Sequence, residues 1–193
     1  MFNSVQMGII MLSRYEKFLE EFDKRLAGYF ELHKEYLHCK KGCSDCCEIG
    51  EYPMSRLEME YLMKGYTTLS PEMQKQVKQN IDKISAQKAA AKIDRFMYQC
   101  PFLINKECVL YKYRGIVCRT FGLAYVDAGK VVLPECVNRG LNYSKLYNPD
   151  KKEIFINNPI KENLRTDKVL KNPETEQYKI ECGIIKPLIE WFL

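Results

Sequence analysis

Apolar and aromatic side chains recur at Tyr15, Phe18, Leu19, Phe22, Leu26, Tyr29, Phe30, His33, Tyr36 and Leu37, with charged residues between them. Steps of three and four residues place these on one stripe of a helix, so the pattern predicts an amphipathic helix over 13–37. Residues 1–12 add little periodicity and are expected to form a loose tail. Pro53 then breaks the path, and Ser55-Arg-Leu-Glu58 has the form of a capping box opening a short helix that Gly65 should stop. Ser70-Pro71-Glu72 repeats the start signal with proline at the first helical position. Met73, Val77, Ile81, Ile84, Ile93, Phe96 and Met97 carry a second long amphipathic pattern from there.

After Cys100-Pro101 the texture changes to short apolar runs separated by turn residues. Phe102-Leu-Ile104 and Cys108-Val-Leu-Tyr111 flank Asn105-Lys-Glu107 and predict a small hairpin. Leu123-Ala-Tyr-Val126 and Lys130-Val-Val-Leu133 predict a second one around Asp127-Ala-Gly129. Residues 142–173 are rich in Asn, Lys and Pro, which suggests an extended wrap whose one weak ordered segment is Glu153-Ile-Phe-Ile-Asn157. Tyr178, Ile184, Ile185, Leu188, Ile189, Trp191 and Phe192 fit a C-terminal helix over 175–193 that Pro187 would kink. With no repeat and no linker, the expectation is one domain over 1–193. Its fold class is α+β: a mainly helical N-terminal half, with small β-hairpins packed around a cysteine metal cluster spanning 39–136.

Composition narrows the function more than the fold. The net charge of +5 arises from 30 basic and 25 acidic residues mixed along the chain, which gives no reason to expect nucleic acid as a partner. No run of about 18 apolar residues exists, so no membrane-spanning helix is predicted. Met7-Gly-Ile-Ile-Met-Leu12 lacks the basic leader of a secretory signal, and the nine cysteines make an odd count. A cytoplasmic setting follows, where clustered thiols argue for metal or catalysis over disulfides.

Four of those thiols lie within nine residues, in Cys39-Lys-Lys-Gly-Cys43-Ser-Asp-Cys46-Cys47, and four more follow at Cys100, Cys108, Cys118 and Cys136. Such a set would waste core volume and invite oxidation unless something bound it. On a helix the first four would share a face, but adjacent Cys46 and Cys47 diverge by about 100°. The divergence suggests sharing, with one of the pair joining the first cluster and the other reaching the later cysteines. Eight thiols satisfy two tetrahedral sites, or an iron-sulfur cluster plus a zinc site, or one polynuclear cluster, and spacing alone does not choose. Lys40, Lys41, Arg114, Arg119 and Arg139 each lie within four residues of a cysteine and would offset the negative charge of bound thiolates, with Arg119 the best candidate for an inward role. Asp45 and Glu48 are read as solvated or supporting groups, His33 as structural, and His38 as no ligand because eight thiols already complete a set. Cys182 lies outside the block and is read as a core residue.

The ordered block Cys39-x3-Cys43-x2-Cys46-Cys47, then Cys100-Pro-Phe-Leu, Cys108-Val-Leu-Tyr111, Tyr113-Arg114 and Cys118-Arg119, resembles the CxxCxxCC family of zinc- or iron-chelating bacterial proteins. That family usually reads Arg-Pro-x-x-Cys-Arg at the last motif, and this chain has Gly115 in the proline's place. The resemblance implies a metal and not a reaction. The expected ligands are Cys39, Cys43, Cys46, Cys47, Cys100, Cys108, Cys118 and Cys136, and the expected cofactor is zinc or iron, the latter including an iron-sulfur cluster. The expected partner is the metal ion, with another protein as a candidate if the zinc is purely structural.

Whether the chain is an enzyme stays open. Cys39-x3-Cys43-x2-Cys46 also has the spacing of radical S-adenosylmethionine enzymes, and flagellin lysine methylases carry a similar block, so an iron-sulfur lysine N-methylase-like activity is the alternative. Against it, a long helix precedes the triplet where a barrel strand would be expected, and no glycine-rich nucleotide loop is present.

Overall fold

The computed structural model describes residues 4–40, 42–91, 93–151, 153–154 and 160–193. Its first element, α1, runs Ser4–Leu32 and starts nine residues before the predicted helix. The expected tail is thus largely helical, because Met11 and Leu12 sit one turn ahead of Tyr15 and extend its apolar stripe. Only residues 1–3 of that tail lie outside the described residues. Tyr15, Phe18, Leu19, Phe22 and Leu26 are buried, as the periodicity requires.

A loop carries the chain from α1 to the single turn α2, Asp45–Glu48. Strand β1, Pro53–Ser55, leads into α3, Arg56–Tyr66, whose capping box is present in full: Ser55 Oγ accepts from the Glu58 N–H, and Glu58 accepts from the Ser55 N–H. Gly65 lies in the last turn, where a Cβ would come within 2.3 Å of the Tyr113 ring. Helix α4 spans Pro71–Ala91, shorter than its apolar pattern. Lys92 lies outside the described residues. Beyond it Phe96 stays in the core, but Tyr98 leaves helical geometry to pair with Gly50 in an antiparallel bridge.

The two predicted hairpins are present as β2 (Leu103–Ile104) with β3 (Glu107–Cys108), and β4 (Tyr125–Asp127) with β5 (Lys130–Val132). Each turns through two residues of positive φ, Asn105 and Lys106 in the first, Ala128 and Gly129 in the second. That mirror-image turn matches the twist of the flanking strands. Between the hairpins, α5 (Ile116–Thr120) carries Cys118.

The region 142–173 holds more structure than an extended wrap. It contains the 3-10 turn Ser144–Leu146, the strand pair β6 (Tyr147–Asn148) and β7 (Glu153–Ile154), and helix α6 (Thr166–Leu170). Residues 155–157 of the predicted ordered segment lie outside the described residues. Val169 and Leu170 of α6 pack on the α1 stripe.

The predicted C-terminal helix is corrected. Only α7, Pro173–Glu176, is helical there; Ile185–Pro187 forms strand β8 against β1, and Leu188–Trp191 is a 3-10 turn. Lys179 and Gly183 adopt positive φ, which no helix continues through, and Pro187 lacks the N–H a helix would need. Leu188 and Ile189 nevertheless reach the core, so the apolar positions were those of buried residues without the helix that would have spaced them. The result is a mixed α+β architecture, helical in its N-terminal half, whose described strands form four antiparallel pairs.

Candidate metal centre

Cys39 and Cys43 lie in the loop after α1 and are exposed, while Cys46 and Cys47 occupy the turn α2 and are half-buried. Two backbone links determine where α2 delivers them. The Cys100 N–H donates to Cys47 O at 2.8 Å, and Gly50 and Tyr98 exchange hydrogen bonds at 3.0 Å. The segment after Cys47 therefore runs antiparallel to the one before Cys100.

This arrangement sorts the thiols. Cys47, Cys100, Cys108 and Cys118 meet at the edge of the core cluster formed by Tyr52, Met54, Phe102 and Leu110. Burial raises the pKa of Cys118 well above the ordinary thiol value, and the charges of Cys100, Cys47 and Cys108 push it further. Cys100 is raised by burial and then by Cys108 and Cys47, and Cys108 is raised by burial and by Cys47. We call these four the inner group.

Cys39, Cys43 and Cys136 form an outer group. Cys136 sits in the 3-10 turn Glu135–Arg139, against which α2 packs, and its thiol is raised by burial and by Cys39. The Cys39 residue is open to solvent while its sulfur is tucked beside Gly122 and Asn142, which is why desolvation raises that thiol, with Cys43 adding to it. Cys46 stands between the groups. It is raised chiefly by its hydrogen bond with Cys47, which lowers Cys47 in turn, and it feels Cys118 on one side and Cys39 on the other.

Neighbouring backbone amides work against burial at several of these thiols: Phe102 and Leu103 lower Cys100, Leu110 lowers Cys108 and Asn142 lowers Cys136. Asn142 also donates from its side chain to Cys39 Sγ at 2.9 Å. Hydrogen bonds to sulfur favour its charged form, so these donors suit thiolates better than thiols. An all-thiol donor set with amides aimed at it has the chemistry of a zinc or iron site. Among the described residues, however, no three Cys, His, Asp or Glu side chains stand close enough together to hold a metal ion as placed. The two groups are neighbourhoods of thiols rather than closed coordination shells.

The basic residues divide. Arg114 lowers Cys108 and Arg139 lowers Cys136, so both stand near a thiol; Arg139 also faces Asp45 at 3.7 Å. Arg119 is buried, as expected of an inward residue, but it binds Asp23 of α1 and the carbonyls of Lys112 and Arg114 instead of sulfur. Lys40 is exposed, and Lys41 lies outside the described residues. His33 is buried among Tyr29 and Tyr143, and burial lowers its pKa; His38 is exposed. Cys182 packs beside the α1 cluster, away from both groups. At Gly115 a Cβ would meet Met54 Sδ at 2.5 Å and Glu58 Oε1 at 2.8 Å, so these two side chains fill the space where a proline ring would begin.

Sequence reasoning missed Asn142, Gly122, Tyr52 and Tyr98. The two tyrosines stack edge to face at 5.3 Å and border the inner group, whose thiols raise both hydroxyls beyond the effect of burial. No spacing rule marks them.

The family model CxxCxxCC, described as "Putative zinc- or iron-chelating domain", matches residues 38–140, more than half of the chain. No curated protein and no solved structure matches it. Among the described residues, no helix is long and apolar enough to cross a membrane.

Proposed function

This chain belongs to the CxxCxxCC family, and from that premise we propose that it holds zinc or iron in two four-cysteine centres of different accessibility. Cys47, Cys100, Cys108 and Cys118 form the inner centre, and Cys39, Cys43, Cys46 and Cys136 the outer one. The observation that supports the reading is the vicinal pair: Cys47 packs with Cys100, Cys108 and Cys118 at the core edge, while Cys46 feels both Cys118 and Cys39.

The inner centre is structural. Its four thiols come from α2, the segment before β2, β3 and α5, so closing it ties four separate pieces of chain together. A bound ion with four thiolates supplies cross-links and leaves no open position for a substrate. The outer centre serves exchange: Cys43 is exposed in a loop and can meet an incoming chelator or acceptor. Each cysteine must lose its proton to bind, so loading releases protons and weakens as pH falls. Nine unpaired thiols support a reducing, cytoplasmic setting.

Elemental analysis with an absorption spectrum, on protein purified without oxygen, tests this. The expected result is two metal centres per chain, with visible absorption if they are iron, one stripped by a chelator under native conditions and the other only on unfolding. A single centre, none, or two released together only on unfolding would refute it.

A further inference from the structure

We propose that Asn142 is the positioning residue of the outer centre, its side-chain amide holding the sulfur of Cys39. The proposal rests on the two-centre reading. Asn142 also lies beyond the stretch 38–140 matched by the family model.

The amide has one possible orientation. Its Oδ1 accepts from the His38 N–H at 2.6 Å, and its Nδ2 donates to Gly122 O at 2.7 Å. A backbone N–H cannot accept and a carbonyl cannot donate, so Nδ2 must face Gly122, and its second hydrogen then points at Cys39 Sγ. Both donors and the oxygen of a side chain in a residue only 1% exposed are thereby engaged. An amide N–H held against a sulfur favours thiolate over thiol, and such outer partners set the direction and basicity of metal ligands.

The neighbours of Asn142 hold it in place. Tyr143 is buried in the left-handed region at φ 60°, an uncommon conformation for a bulky residue. It is pinned at both ends, its N–H on Tyr36 O at 2.7 Å and its hydroxyl between the Ala124 N–H at 3.2 Å and His33 Nδ1 at 3.3 Å. Opposite, Gly122 takes φ +89°, and a Cβ there would stand 2.5 Å from Cys39 Sγ and 2.9 Å from Asn142 Nδ2. The cradle around the Cys39 sulfur is therefore built from both sides: a glycine that makes room and an amide that fills its hydrogen-bonding direction. Through the His38 N–H and Gly122 O, the same amide joins the loop after α1 to the segment after α5 and fixes where the Cys39 sulfur stands.

The test uses zinc. Asn142→Asp keeps the side chain's shape and removes its donors. The variant should keep the inner zinc and bind the outer one about 10- to 100-fold more weakly in chelator competition. Equal outer affinity would overturn the role of Asn142 while leaving two centres standing; a wild-type chain with fewer than two zinc ions would overturn both. Since a buried carboxylate can unfold the chain, cadmium-113 NMR of the wild-type protein supplies a second measurement. The Asn142 side-chain amide should show coupling across its hydrogen bond to the cadmium nucleus that also couples to the Cys39 β-protons. No coupling, or coupling to a different nucleus, overturns the proposal.

Discussion

Cys46 and Cys47 are neighbours in sequence, yet their replacement should empty different centres. Take Cys46→Ser, Cys47→Ser and the double variant, with Cys118→Ser as a partner for each. Serine keeps the size but gives up the thiolate, and loss of a ligand weakens a four-thiolate centre at least as much as the roughly 100-fold that loss of an outer partner can reach. A centre held at a hundred times its Kd contributes about 2.7 kcal/mol to stability by mass action. For a chain of this length that is a melting shift of about 5 to 11 °C at fixed free zinc. Cys47→Ser and Cys118→Ser draw on the same stabilisation, so their double variant should fall no further than the lower single. Cys46→Ser with Cys47→Ser should instead lose both metals and show additive melting losses, although adjacent residues are where additivity usually fails. Native mass spectrometry counts the metals, and thermal melts at buffered free zinc give the stabilities. Loss of the same single metal in both adjacent variants would refute the partition.

Two further outcomes do not depend on the metal. Ser55→Ala removes the buried hydroxyl that accepts from the Glu58 N–H at 3.2 Å; it should lower stability by about 1 kcal/mol, a melting drop of about 2 to 4 °C, and leave metal stoichiometry unchanged. A stoichiometry change would show that α3's cap supports the site directly. Cys182 is pushed up to about 11 from an ordinary 9.0 by burial and by the Glu58 charge. The native state thus holds this proton more tightly than the unfolded chain, so its contribution is present below about pH 9 and is lost as the pH climbs toward 11. Melting curves of Cys182→Ala should fall less steeply than wild type across that window, and parallel curves would contradict the assignment.

The cysteine block was readable because thiol spacing is a chemical signal that survives whatever backbone carries it. An expected divergence of Cys46 and Cys47, about 100° on a one-turn helix such as α2, was readable too. Their destinations were not, because these depend on the Gly50 to Tyr98 bridge, a contact between segments with no marked pattern of their own. Periodicity located the buried residues of α1 and, on α4, Val77 and Ile84, but misjudged the C-terminus. There Leu188 and Ile189 are buried through pairing of β8 with β1, and the left-handed Lys179 and Gly183 carry no warning in hydrophobic spacing.

Arg119 illustrates the same limit from the electrostatic side. A cation next to Cys118 suggested a partner for sulfur, but a side chain on α5 points away from its neighbour by about 100°. Arg119 instead meets Asp23 on α1 and two backbone carbonyls. A buried charge that Cys118 does feel is Glu58, whose Oε1 accepts from the Ile116 N–H at 2.8 Å. Glu58 is fully buried and spends its acceptors on the first turns of both α3 and α5. The helix that presents Cys118 is therefore anchored to the start of α3 by a carboxylate whose negative charge opposes ionisation of the thiol it positions. A cation bound at Cys118 reverses that opposition, because it favours the thiolate and is itself attracted by Glu58. Burial raises the pKa of Glu58 itself, so a cation at Cys118 would also hold this carboxyl in its charged form, which is what the proposed inner centre calls for.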